Sequence, residues 1–333
     1  MTALQAQDFN GAKWAIGVRA SGITNAHVDA AIASGKIVRA WPMRGTLHFT
    51  LAEDLGWITS LTRKRILQRA TARRTAHGIG ETDITRATNM FVRALEGNRC
   101  RTRIAMHELL GRAKLSDNQE RGSHFLWHLS QTGLLCFGPP SGKSQTFVLA
   151  EEWIPRPRRL GAEEALAELT LRYFRGHGPA TVKDFMWWSG LTLGEIKLGL
   201  TNAKARLAEL RVDETPYFFD PNVLAAAPSK VAATYALPGF DEYLLGYRDR
   251  SAQLDDGLAS VVVPGHNGVF KPMIVSGGRI VGAWGRLPDE KAVVVWSSLF
   301  GTKTTSPSPQ LKRALAAYGK FYERPVRVTQ EDA

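Results

Sequence analysis

Hydrophobic positions along the chain change period in a recurring order. From Phe9 they fall at helical spacing, with Ala12, Ala15 and Ile16 following Asp8 as a cap. Gly22 breaks this helix, Thr24 or Asn25 opens a second one through Ala33, and Gly35 ends it. IVRAWPMRGTLHFT then reads as two strands around Met43–Gly45. The order returns near Arg101: RIAMHELLGRA is helical, SHFLWHLSQTG is a second helix closed by Gly133, and LLCFGPPSGKSQTFVLA gives two strands around a Gly/Pro loop. In the third copy AEEALAELTLRYFRGHG leads, Pro179 and Thr181 start VKDFMWWSG, and Thr192 starts LGEIKLGLTNAKARL. A weaker strand pair follows to Asp220.

Two helices followed by a β-hairpin is the winged-helix plan, which lays one helix in the major groove of DNA while the hairpin reaches the backbone or minor groove. The same plan also serves as a protein–protein spacer. The units are expected at about residues 8–51, 101–150 and 161–220. From Val231 the texture changes to ASVVVPGHNGVF, KPMIVSGGRIVGAWGR and KAVVVWSSLF, β-rich and punctuated by turns, with a tight hairpin at Ser276-Gly277-Gly278. A late helix, PQLKRALAAYGKFY, and a last strand, PVRVTQ, complete a small β-barrel-like or α+β domain. The expected fold is α+β: tandem winged-helix units with a C-terminal β-barrel-like domain. The expected segments are 1–60, a basic helical connector 61–100, 101–160, 161–225 and 226–333.

Charge adds a direction. The 333-residue chain carries a formal net charge of +12. Residues 1–160 hold 23 Lys/Arg against 12 Asp/Glu, and residues 161–333 hold 20 against 19. An excess confined to one half suits a polyanion-binding face, although a solvated basic surface has the same composition. The connector LTRKRILQRATARRTAHG concentrates Arg63, Lys64, Arg65, Arg69, Arg73 and Arg74, residue types that contact phosphate without choosing sequence.

Other chemistry is excluded or unsupported. The sequence has no Walker loop, GxSxG, HExxH or zinc-deaminase pattern. Cys100 and Cys136 are the only cysteines, too few for a disulfide scaffold or a four-thiolate zinc site. His124 and His128 stand at i,i+4 with no third ligand nearby, so packing or DNA-facing roles are expected instead. No metal or cofactor is expected. The start MTALQAQDFN lacks the form of a secretory signal, and no apolar run approaches membrane length, so a cytoplasmic protein without membrane contact is expected.

Five strings, LQAQDFNGAKWAIGVRA, IVRAWPMRGTLHFTLAEDLGWI, GHGPATVKDFMWWSGLT, LPGFDEYLLGYRDR and NGVFKPMIVSGGRIVGAWGR, resemble in order the crosslink-repair DNA glycosylase family of AlkZ and YcaQ type. The resemblance spans almost the whole chain. It implies a C-shaped protein of three winged-helix units and a β-barrel around a DNA channel, which removes N7-alkylated purines from double-stranded DNA. One branch of the family is associated with self-resistance to DNA-alkylating antibiotics. The family's catalytic Gln-x-Gln motif matches Gln5-Ala6-Gln7. By spacing alone, two glutamines near a chain end are ordinary exposed residues.

The chemistry suits the motif. An N7-alkylguanine is cationic and leaves without protonation, so a site need only hold a water against C1′ and tolerate the oxocarbenium charge. An amide oxygen can orient that water and its dipole can favour the charge. Gln5 and Gln7 face one way only in extended backbone, which Asp8 as a helix cap would leave ahead of it. Asp8 is the nearest carboxylate and a less favoured base. Alternation puts Arg44, Thr46 and His48 on one strand face as DNA contacts, with a hydrogen-bonded structural role as the alternative for His48. Arg250 joins the DNA-contacting set. Asp241 and Glu242 either pair with arginine, the preferred reading, or sit by the reacting sugar. Asp8, Asp241, Tyr247 and Asn267 are channel-lining candidates, although Asn267 stands in a turn. A monomeric DNA glycosylase is expected. A non-catalytic winged-helix DNA-binding protein or regulator is the alternative, but such regulators usually dimerise and the chain has no dimerisation coiled coil.

Overall fold

A computed structural model of the chain describes residues 1–222, 233–266, 268–287, 292–301 and 307–329. The fold is mixed α and β. Helix, helix and antiparallel strand pair follow one another three times: Phe9–Gly17, Asn25–Ala33 and Ile37–Met43 with Thr46–Leu51; Arg103–Arg112, Gln119–Gln131 and Leu135–Phe137 with Thr146–Leu149; Val182–Ser189, Leu193–Ala203 and Ala208–Val212 with Thr215–Phe219. Packing groups the chain into two compact units, neither of them continuous in sequence. One comprises Met1–Ala3, Ala30–Gly176 and Ser189–Leu207. The other comprises Leu4–Asp29, His177–Trp188 and Ala208–Ala333.

The first unit is built on a sheet whose strands run in the order Thr46–Leu51, Ile37–Met43, Leu135–Phe137, Thr146–Leu149, Arg101–Thr102, with the start of Ala3–Gln5 at its outer edge. The strands of the second hairpin are buried throughout because both faces are covered. Cys136 and Val148 face a cluster with Val38, Ala40 and Leu55; Leu135, Phe137, Phe147 and Leu149 face the other, as the period of two requires. That second cluster includes Ile79, Ala87, Phe91 and Leu95. The expected basic connector is thus a structural part of the unit: the helix Glu81–Leu95 presents Ala87, Phe91 and Leu95 to the core at helical spacing. Asp54, fully buried, accepts from Arg158 at 3.0 Å and from the Trp57 indole at 2.8 Å, and also pairs with Arg172.

In the second unit five strands run in the order Val326–Thr329, Val293–Leu299, Arg279–Leu287, Met273–Ser276, Thr234–Leu237. The predicted tight hairpin is present: Ser276 pairs with Arg279 across Gly277 and Gly278, whose φ values of 58° and 79° need glycine. The expected β-barrel-like domain takes the form of an open, curled sheet; among the described residues its first and last strands, Thr234–Leu237 and Val326–Thr329, are not paired with each other. The bulge between Ile274 and Val275 adds to the ordinary strand twist. The helix Pro309–Phe321 packs on Thr234–Leu237, and Trp14 of the helix Phe9–Gly17 meets it edge-on, 5.2 Å from Tyr318. The Trp14 indole donates to the Ala236 carbonyl at 2.7 Å, so the first helix of the chain is anchored to this sheet.

Candidate active site and nucleic-acid interface

Gln5-Ala6-Gln7 occupies a corner between a strand and a helix in the second unit. Gln5 ends the strand Ala3–Gln5. Asp8 is extended, with φ −86° and ψ 108°, and its carboxylate accepts the Asn10 N–H at 3.1 Å, capping the helix Phe9–Gly17 as expected. A side chain at Gly11 would crowd that carboxylate, so the cap and the glycine belong together. The strand stops at Gln5 and the chain bends at Gln7 and Asp8, leaving Gln5 9% exposed and Gln7 open to solvent.

The backbone of this corner is held by Glu242. Its Oε1 accepts the Gln5 N–H at 3.0 Å; its Oε2 accepts the Trp188 indole N–H at 2.7 Å and lies 3.3 Å from His177 Nε2. Glu242 is 1% exposed. A buried carboxylate is tolerated only where donors meet it, and here the Gln5 amide and the Trp188 indole donate. Gly246 makes room for the arrangement, since a Cβ there would run into the His177 ring. An arginine partner is the preferred expectation for Asp241 and Glu242; the contacts of Glu242 include an amide, an indole and an imidazole. For Asp241 that expectation is right. Arg19 grips it through two nitrogens at 2.6 and 2.8 Å, and Asp241 also caps the short helix Glu242–Leu245 through the Tyr243 N–H. Burial alone would lower the Arg19 pKa, but the Asp241 carboxylate outweighs it and holds the guanidinium above its ordinary value.

Two of the channel-lining candidates are held by contacts within the unit. Asp241 is 1% exposed and fully engaged, and Tyr247 donates its hydroxyl to the His177 carbonyl at 2.7 Å. Burial pushes the Tyr247 phenol far up, so it stays protonated in that bond. Arg250 lies over the rings of Trp187 and Phe270, 5.1 and 5.4 Å from their centroids, and donates to the Leu244 carbonyl at 3.0 Å. That grip is structural in the free protein, and burial lowers its pKa. Asn267 lies outside the described residues.

The remaining candidates belong to the first unit. Arg44 sits in the hairpin turn with φ 54°, so strand alternation does not extend to it; its Nη2 lies 3.4 Å from His48 Nε2. His48 Nδ1 is 2.9 Å from the Thr46 carbonyl, and the ring is fully buried. His48 therefore supports the turn and Arg44 rather than meeting DNA directly, which corrects the DNA-facing expectation. Thr46 is half-buried. On the helices Leu55–Arg69 and Thr71–Ala76, Arg63, Lys64, Arg69 and Arg73 are exposed. Arg65 and Arg74 instead pair with Glu195 and Glu81, each at 2.8 Å, and an incoming phosphate would compete with those carboxylates. His124 and His128 are both buried in the helix Gln119–Gln131.

Glu242 with His177 and Trp188, and Arg19 with Asp241, are partnerships that the sequence alone does not reveal. Each residue lies inside a string quoted above, but nothing in one sequence couples positions 237 apart.

The same corner and the same strings define a class. The family model described as DNA glycosylase AlkZ-like matches residues 1–321, and the chain belongs to that family of DNA glycosylases. Among individual proteins, it is 26% identical over 312 residues to the interstrand DNA cross-link repair glycosylase of Streptomyces sahachiroi, a match covering 87% of this chain and 81% of the relative. The solved structure of the Streptomyces sahachiroi DNA glycosylase AlkZ superposes with a TM-score of 0.78 at 24% identity, covering 98% of this chain and 91% of that one, and shows a common fold. The substrate is thus DNA and the reaction hydrolysis of a base–sugar bond. No helix among the described residues is long and apolar enough to cross a membrane.

Proposed function

We propose that the chain excises cationic, N7-alkylated purines from double-stranded DNA as a monomer, with Gln5 and Gln7 placing the attacking water. The observation that carries this reading is the strand-to-helix corner at Gln5-Ala6-Gln7, whose backbone is tied to the buried Glu242 carboxylate at 3.0 Å. A water-positioning amide is effective only if its backbone does not wander, because a displacement of about 1 Å can cost on the order of a hundredfold in rate. The cationic base departs with its bonding electrons and becomes neutral. The water oxygen joins C1′ and gives up its proton to solvent or to a neighbouring acceptor. The glutamine amides orient the water and set their dipoles towards the oxocarbenium charge. Asp8, occupied as a helix cap, is the less favoured base.

The name of the Streptomyces sahachiroi relative, a cross-link repair glycosylase, supports repair of interstrand crosslinks by this chain as well, and self-resistance to a DNA-alkylating natural product is the setting we favour. The three helix–helix–hairpin units act as winged helices on the duplex, with Arg44, Arg63, Lys64, Arg69 and Arg73 taking phosphates. The test is release of free base from duplex DNA carrying one N7-methylguanine or one bulky N7-adduct, beside a duplex carrying an O6-alkylated guanine. The cationic adducts should be released and the neutral one spared. Release of neither cationic adduct would contradict the proposal.

A further inference from the structure

A second site lies in the first unit, away from the glutamine motif in sequence. A cleft of about 510 Å³ opens beside the Met43–Gly45 turn, lined by Trp41, Arg73, Arg103, Glu120, His124 and Trp127 among others. Its volume falls within the roughly 300–1,000 Å³ of small-molecule sites. Trp127 projects from the helix Gln119–Gln131 and is half-exposed, with His124 5.5 Å away between ring centroids. Its indole N–H has no acceptor among the described residues. Gly45 turns the chain beside that ring with φ 71°, a backbone conformation that favours glycine.

Arg103 supplies the second, independent feature. Its guanidinium is half-buried over the Phe147 and Phe137 rings, at 5.5 and 6.0 Å, and no carboxylate among the described residues pairs with it. Burial pushes its pKa down, and no anion compensates. A desolvated cation without a counter-charge is a cost that a bound anion would relieve. Arg73, exposed on the opposite helix and also without an acidic partner among the described residues, adds a second cation to the cleft. His124 is 6% exposed, and its Nε2 has no hydrogen-bond partner among the described residues. Glu120, exposed on the rim, disfavours a ligand that is all phosphate. An aromatic ring with a free donor beside paired cations is the chemistry that holds an unstacked base and its phosphate together.

We propose that this cleft binds one unpaired deoxynucleotide of the DNA substrate, its base against Trp127 and its phosphate between Arg103 and Arg73. The site rests on the reading of the chain as acting on duplex DNA, and it gives that reading a preference for distorted duplexes. Stacking on a single ring is worth roughly tenfold in affinity or more.

The full chain is titrated with two duplexes of one sequence: one fully paired, and one with a single bulged 2-aminopurine. Base release from a paired duplex carrying N7-methylguanine is measured in parallel. The bulged duplex should bind about tenfold more tightly, with 2-aminopurine fluorescence quenched on binding. Trp127→Leu should abolish both effects, Trp127→Phe should retain most of the preference, and Arg103→Met should weaken binding of the bulged duplex while leaving the paired one unchanged. Equal binding of the two duplexes by the parent, or a preference and quench unaltered in Trp127→Leu and Arg103→Met, would overturn the site. If base release persists in that case, the site alone fails; if the parent neither binds nor releases, the glycosylase reading fails with it.

Discussion

Glu242 accepts the backbone N–H of Gln5 at 3.0 Å across 237 positions of sequence. This bond joins two of the strings that carry the family resemblance, the one holding the glutamine motif and LPGFDEYLLGYRDR, into one piece of structure. Trp188 and His177 also lie against the carboxylate.

Removing the Glu242 carboxylate should therefore be costly in two ways. In Glu242→Ala the Gln5 amide and the Trp188 indole lose an acceptor, each worth about 1–3 kcal/mol when left unmade, so the urea midpoint should fall sharply. Glu242→Gln keeps the shape but turns an NH2 towards one of the donors. It should remain folded, bind DNA normally and lose about tenfold or more in base release. Full activity in a folded Glu242→Gln would show that the anchor is not needed for catalysis.

Arg19 and Asp241 provide a control that separates stability from chemistry. Arg19→Ala leaves a buried carboxylate without its cation, a change that typically costs about 3–5 kcal/mol, reduced here because Arg19 is 28% exposed. The thermal midpoint should drop. At a temperature where the variant is folded, base release should change much less than in Glu242→Gln. A stability unchanged within error would contradict the pair's assigned role.

His124 predicts a pH dependence. Burial, with nearby His77, His128 and arginine charges, lowers its pKa to about 4 from an ordinary value of 6.5. A histidine depressed on folding takes up its proton more readily in the unfolded chain, so its stabilising contribution is complete above about pH 6.5 and is lost as pH falls towards 4. Over that window the shift is worth on the order of 2–3 kcal/mol. His124→Gln should flatten the acid limb of stability against pH between 6.5 and 4, measured by urea unfolding at several pH values. An unchanged acid limb would remove His124 as its source.

Binding to undamaged DNA should fall steeply with salt, because each phosphate contact releases counterions. Arg63→Ala with Lys64→Ala should weaken binding to all sequences alike and reduce the slope of log affinity against log salt by about 2. Adding Arg65→Ala should matter less, since Glu195 already occupies that guanidinium. An unchanged slope in the double variant would take this helix off the DNA.

The order of elements was legible because periodicity and caps are local: Asp8, Thr192 and the Gly277-Gly278 turn do in the structure what their sequence positions suggest. The grouping was not legible. The basic residues of the connector gave no sign that Phe91 and Leu95 join Phe125 and Phe147 in one core. The glutamine corner could be placed from the Asp8 cap, whereas its anchor could not. A buried Glu242 differs from a solvated glutamate only through partners distant in sequence, such as Gln5, His177 and Trp188. His48 failed for a related reason: alternation indicates a face but not whether that face is covered.

The most direct measurement compares single-turnover release of N7-methylguanine by the parent, Gln5→Ala and Gln7→Ala on one duplex, with DNA affinity determined on the same samples. If the two amides place the water, each variant should lose on the order of a hundredfold in release while binding DNA nearly as well as the parent. If both variants release the base as fast as the parent, Gln5 and Gln7 are not the catalysts and the central claim is wrong.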